Sequence, residues 1–247
     1  MRPEDIEAIE RATLAAVSPH AVEEIDGWLL PMDSGTVGRA KNAVPLWHAQ
    51  PDLAVLQEIE GRYKARDLSA GFRLPTDPLF AGMRELLLQK GYRSTQPTQV
   101  QIAGTRTVRA VSNEPPARLD DSPDEAWAAV FLGEGFDPVD GASRVDALSR
   151  APGSLFASVR ENGRVLAGGA GAFSNGWASV HGMRTALAHR RKGLAGRVLA
   201  ALADAALRSG HTRMFLQVDA ANTAAISLYR RAGFETAWTY EYWRRPD

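Results

Sequence analysis

Apolar positions along this chain switch between helical and strand spacing, and the switches lay out its elements. Between residues 4 and 17, apolar and charged positions alternate at helical spacing, with Ile6, Ile9 and Leu14 on the apolar side. Residues 27–31 (GWLLP) read as a short strand. Asp33-Ser34-Gly35 reads as a turn and Gly38 to Leu46 as a second strand, so the pair predicts a hairpin. Leu53, Leu56, Ile59 and Tyr63 predict a helix over 52–65. Leu79, Met83, Leu86 and Leu87 predict another over 78–90, stopped by Gly91. Residues 72–74 and 97–103 read as strands.

The sharpest change in composition is the polar stretch Ser112 to Pro123, with Pro115-Pro116 and Asp120-Asp121. It sets an expected domain boundary near residue 110, dividing the chain into 1–110 and 111–247. Helices are predicted around 123–133 and 139–149. Strands 154–160 and 164–173 are joined by Glu161-Asn162-Gly163, and Asn-Gly is the strongest short hairpin signal. The order then runs strand 177–185, a basic loop with a glycine, helix 194–208, strand 213–218, helix 222–232 and strand 234–243. Both halves are mixed α+β, with hairpins first and strand–helix–strand units after.

A length of 247 residues fits one large domain or two small ones. The formal net charge is zero, so no basic excess favours a nucleic-acid partner. The chain has no cysteine, which excludes disulfides, Cys-ligated metals and a thiol nucleophile. The N-terminal segment carries acids among its apolar residues, unlike a signal peptide, and no apolar run is long enough for a membrane span. A cytoplasmic protein with no membrane partner is expected.

The segment with most chemistry is Arg190-Arg191-Lys192-Gly193-Leu194-Ala195, between a strand and a helix. Gly193 lets the backbone approach a ligand with no Cβ in the way. The first amides of the following helix lack intrahelical acceptors, and the helix dipole favours negative charge there. Such a loop suits a pyrophosphate. A basic surface loop that merely starts a helix is the alternative.

Arg190-x-x-Gly193-x-Ala195 resembles the acyl-CoA-binding motif of the GNAT acetyltransferase superfamily. The segment Leu216 to Phe234, with Asn222, Ala225, Leu228-Tyr229 and Gly233-Phe234, resembles that family's second hallmark. The close match covers residues 177–235. A weaker likeness ties residues 26–30 and 38–46 to the first domain of bacterial tandem GNAT proteins. The resemblance implies two GNAT-like domains, each a mixed, mostly antiparallel sheet flanked by helices. The first, 1–110, is a degenerate copy, with Trp28, Arg39, Asn42 and Trp47 as groove candidates. The second, 111–247, is catalytic and binds CoA between splayed central strands. Met183 and Thr185 are expected to meet the pantetheine arm. The backbone from Arg191 through Lys192, Gly193, Leu194 and Ala195 to Gly196 is expected to hold the diphosphate, with Arg190 adding charge.

Asn222 is positioned to cap its helix, and the resemblance adds a contact near the cofactor arm. Tyr229 lies two turns further on the same face, and the resemblance makes it the acid that protonates the departing CoA thiolate. Gly233 suits a left-handed helix stop. His181 is the candidate base: alternation would place it on one face with Met183 and Thr185. No metal-ligand spacing is present. The function implied is direct acetyl transfer from acetyl-CoA to a small-molecule or peptide amine, with a possible homodimer. A non-catalytic acyl-CoA-binding sensor is the alternative.

Overall fold

The computed structural model describes residues 1–246, whose strands form a three-stranded and an eight-stranded sheet. Helix α1 (Pro3–Val17) opens with proline at its first turn, where a missing N–H is harmless. The small sheet holds β1 (Ala21–Ile25), β2 (Trp28–Met32) and β3 (Val44–Pro45), in that order. Its hairpin turns at Asp26-Gly27, both at positive φ (43° and 76°), with Ile25 opposite Trp28. The expected pairing of 27–31 with 38–46 is met only at its end, where Trp28 and Leu29 lie antiparallel to Pro45 and Val44, and the tight hairpin instead joins β1 to β2. Asp-Gly supplies the favoured two-residue turn, whereas Asp33 turns its own loop by accepting the Gly35 amide at 2.7 Å. Residues Gly38–Ala40 form a 3-10 turn, and only Val44–Pro45 of that segment pairs with β2. Helices α2 (Val55–Lys64) and α3 (Ala81–Gln89) bury Leu56, Ile59, Met83 and Leu87 around Phe72 and Trp28.

The large sheet runs in the order β4 (Phe72–Pro75), β11 (Glu235–Arg244), β5 (Arg93–Gly104), β10 (Arg213–Asp219), β9 (Trp177–Thr185), β8 (Arg164–Ser174), β7 (Leu155–Glu161), β6 (Arg118–Asp120). It crosses the boundary expected near residue 110. β5, from the first half, lies antiparallel between β10 and β11, and β4 pairs with the far side of β11. Asn162 and Gly163 turn β7 into β8 at φ 49° and 77°.

Each face of this sheet carries helices. Helix α7 (Leu194–Arg208) and the short α4 (Thr105–Arg109) cover one face; Val198, Leu199 and Leu202 pack on Ala178, Val180 and Leu216. Full burial of such side chains stabilises by about 1.5–3 kcal/mol each. On the other face Ile9 and Ala12 of α1 meet Trp177, Phe215 and Tyr240. Beside them, α5 (Glu125–Ala129) and α6 (Pro138–Ser149) bring Trp127 and Leu148 against Phe156 and Ala170. Helix α8 (Thr223–Arg231) connects β10 to β11.

A buried ion pair joins α1 to β4, Glu10 to Arg73. Around it, Gln217 Oε1 accepts from Tyr240 Oη at 2.7 Å, and Gln217 Nε2 donates to Thr13 Oγ1 at 2.8 Å. The network pins α1, β4, β10 and β11 together. No helix among the described residues is long and apolar enough to cross a membrane.

Candidate active site

Two parallel strands part in the middle of the sheet. β9 and β10 pair only at Ala178–Met214, Ser179–Phe215 and Val180–Leu216, although β9 continues to Thr185 and β10 to Asp219. A bulge lies where the pairing stops: His181 faces Ala170, but the next pair in β8 is Gly168 with Arg184. Gly182 makes the bulge possible. Its φ is 58°, and a Cβ there would lie 2.9 Å from Leu148 Cδ1.

The bulge also corrects the expected alternation of His181, Met183 and Thr185. His181 lies edge-on to Phe215 on the α1 side, whereas Met183 packs with the cluster around Val198 under α7. One extra residue flips every later side chain to the opposite face.

A cavity of about 800 Å³ opens from the splay toward the start of α7. Gly193 caps that helix in the left-handed region at φ 76°, and nothing lies within 4 Å of where its Cβ would be. Arg191 before it is also left-handed, at φ 62°. The amides of Arg191 through Ala195 make no hydrogen bond within the described residues. They form a set of free donors at the positive end of a 15-residue helix. Arg190, Arg191, Gly193, Leu194, Ala195 and Gly196 line this cavity, as do Met183, Thr185, Asn222 and Tyr229. Lys192 is exposed and is not among the lining residues.

Sequence reasoning missed one wall. Val111 to Glu114, from the polar stretch between the halves, faces the cradle. Arg197 Nε holds this stretch by donating to Pro115 O at 2.7 Å, and Arg109 Nη1 donates to Ser112 O at 3.3 Å. Phe136 was also missed; the guanidinium of Arg184 stacks 4.6 Å from its ring centre.

Helix α8 is fixed at both ends by its own sequence. Asn222 Oδ1 accepts the Ala225 amide at 3.1 Å. Gly233, at φ 86°, ends it, and the Phe234 amide returns to Tyr229 O at 2.9 Å. Tyr229 is 7% exposed and packs edge-on against Phe234. Its hydroxyl has no hydrogen-bond partner among the described residues, yet the residue lines two cavities. Burial pushes its phenol up to about 12, against the opposing pull of Arg184 and Arg39.

The second cavity, about 380 Å³, lies across the splay on the α1 side. It shares Met183, Arg184, Asn222 and Tyr229 with the first. Thr36 to Arg39 come from the first half, Asp140 and Arg144 from α6, and Gln217, Tyr240 and Tyr242 from the floor network. His181 lines it too. Burial, helped by the positive charge of Arg39, lowers this imidazole to about 3. Its Nε2 pairs with Ser179 Oγ at 2.8 Å, while Nδ1 is buried without a partner. Of the other groove candidates, Trp28 is buried against Phe72, Asn42 binds Arg244, and Trp47 is exposed over Gly27; Arg39 alone of the four lines this cavity.

The family model described as "Probable histone acetyltransferase Rv0428c C-terminal" matches residues 4–243. The chain belongs to that family. This acetyltransferase of the GNAT superfamily is 26% identical over 244 residues to the "Uncharacterized N-acetyltransferase YobR" of Bacillus subtilis, covering 97% of this chain and 98% of the other. Its fold is similar to that of a GCN5-related N-acetyltransferase from Kribbella flavida, with a TM-score of 0.71 at 20% identity, covering 98% of this chain and 95% of that one. A tandem GNAT protein from the clavulanic acid biosynthesis pathway superposes with a TM-score of 0.61 at 13% identity, over 97% and 94% of the two chains.

Proposed function

We propose that the acetyltransferase moves an acetyl group from acetyl-CoA directly onto an amine, with the chemistry in residues 111–247 and residues 1–110 shaping the acceptor side. One observation carries the reading: Tyr229 brings an unpartnered hydroxyl to the junction of the two cavities.

The residues present fit the coenzyme. Free amides from Arg191 to Ala195 suit its diphosphate, and the unpaired edges of β9 and β10 near Met183 and Thr185 suit the amide groups of its arm. When bound, acetyl-CoA supplies an activated thioester. Tyr229 Oη stays protonated at neutral pH, because burial raises its pKa, and can donate to the departing sulfur. His181 is poorly suited to the base role expected for it: with its pKa near 3 it has little proton affinity at neutral pH. Arg39 and Arg184 do that work indirectly, since positive charge nearby lowers the pKa of an acceptor ammonium. The ammonium then gives a proton to water, and the neutral amine attacks.

The test is a panel of amines offered with acetyl-CoA while free thiol is followed. Steady thiol release that depends on one amine supports the reading. CoA binding without release for any amine contradicts it and leaves a sensor.

A further inference from the structure

The smaller cavity holds more positive charge than the protein itself neutralises. Arg39, Arg144, Arg184 and Arg244 line it, against the carboxylates of Asp140 and Asp219. Arg144 is satisfied, with its Nε 2.6 Å from Asp140 Oδ2. Asp219 accepts the Ala221 amide at 2.8 Å and pairs with no arginine. Arg244 donates to the neutral amide oxygen of Asn42 at 3.2 Å and stacks 4.8 Å from the Tyr242 ring centre, with no acid partner among the described residues.

Among the described residues, neither of the other two arginines makes an ion pair: Arg184 feels the charge of Asp140 and Arg39 that of Glu10, but each acid is already held by another arginine, Arg144 and Arg73. Arg184 is half-buried, its Nε is enclosed without a partner, and its plane rests on Phe131 and Phe136. Arg39 is half-buried and makes no hydrogen bond or ion pair among the described residues. Its charge also acts on His181, Tyr229 and Tyr240, and all four residues line the cavity. A guanidinium withdrawn from water without an acid partner is costly to hold. Planar forks of donors match carboxylate and phosphate oxygens in pairs. The missing anion is therefore sought in the ligand.

We propose that the acceptor is a small amine that also carries an acid group, carboxylate or phosphate, gripped by Arg39 and Arg184 while its amino nitrogen faces Tyr229. This rests on the acetyltransferase reading above and names its substrate class. The acceptor's ammonium group first gives a proton to water, leaving the neutral amine. Its nitrogen then bonds to the acetyl carbon as the carbon–sulfur bond breaks, the sulfur leaves with that electron pair and Tyr229 protonates it; the new amide nitrogen sheds its second proton, which through solvent restores the Tyr229 hydroxyl. A cavity of about 380 Å³ fits a small molecule. The same charge disfavours a lysine on a basic peptide, whose neighbouring cations meet like charge.

Matched probes test this: β-alanine against β-alaninamide, phosphoethanolamine against ethanolamine, and a lysine-rich peptide. Thiol release is measured, together with the melting temperature of CoA-loaded protein in the presence of each probe. The acid-bearing member of at least one pair is expected to react about 10- to 100-fold more efficiently than its neutral twin and to raise the melting temperature. Arg39→Gln is expected to raise the KM of that amine by a similar factor and erase the melting shift, with the KM of acetyl-CoA unchanged; Arg39→Lys recovers part of the loss. Neutral amines or the basic peptide reacting as well as the acidic ones, or no melting shift from either acid, overturns the proposal while acetyl transfer stands. Absence of any CoA binding removes the acetyltransferase reading and the proposal with it.

Discussion

Replacing Tyr229 with phenylalanine isolates one oxygen atom. The ring keeps its edge-on contact with Phe234, whose centre is 5.9 Å away, and its buried face against the α7 side of the sheet. The hydroxyl gives up no internal hydrogen bond, so stability should change by less than about 1 kcal/mol. Its contribution to turnover is larger. A positioned acid is worth about 10²- to 10⁴-fold, but thiols ionise near pH 8.5 and a thiolate leaves tolerably well unaided. The lower end is therefore expected: kcat falls about 100-fold in Tyr229→Phe. The assay is thiol release at saturating acetyl-CoA, paired with calorimetric titration of CoA, whose affinity should be unchanged. Because burial pushes the phenol to about 12, no loss of wild-type rate below about pH 11 should come from Tyr229. A kcat within about threefold of wild type refutes the acid role. Equal losses in CoA affinity and kcat would assign the hydroxyl to binding instead.

The remaining predictions concern stability. His181 has a folded pKa near 3 against an ordinary value of 6.5, so only the unfolded chain takes up its proton between those limits. Stability is intact above pH 6.5 and is lost as pH falls, by about 1.4 kcal/mol per unit for this one group. Urea denaturation at several pH values should therefore show a shallower decline in His181→Asn; identical slopes contradict the burial argument. Arg73→Met leaves Glu10 buried and uncompensated and should cost about 3–5 kcal/mol, most of it recovered when Glu10→Leu is added. A loss below about 1 kcal/mol in the single variant shows that water reaches Glu10.

What the sequence reveals follows the range of the forces involved. Helix α7 is legible to the residue, 194–208, because its apolar face and the glycine before it are local signals. The Asn222 cap, the Gly233 stop and the Asn162-Gly163 turn are local too. β1 escapes because Glu23 and Glu24 interrupt its pattern; both acids are bound by arginines, Arg66 and Arg11, from other elements. The place of β5 between β10 and β11 is set by partners more than a hundred residues away, and nothing in residues 93–104 names them. The bulge on β9 had one signal, a glycine inside a strand, and it passed unused. The cationic cavity draws on residues 36–39, 140–144, 181–184 and 244, so its charge balance exists only after folding.

The central claim is that the free amides beside Gly193 grip a coenzyme diphosphate. Calorimetric titration of wild-type protein and Gly193→Glu with CoA tests it most directly. A glutamate there sets an acid against the diphosphate and forces a side chain onto a φ of 76°. Wild type should bind with measurable heat and the variant at least about 100-fold more weakly, with circular dichroism unchanged. No heat from wild type, or equal binding by both, contradicts the account.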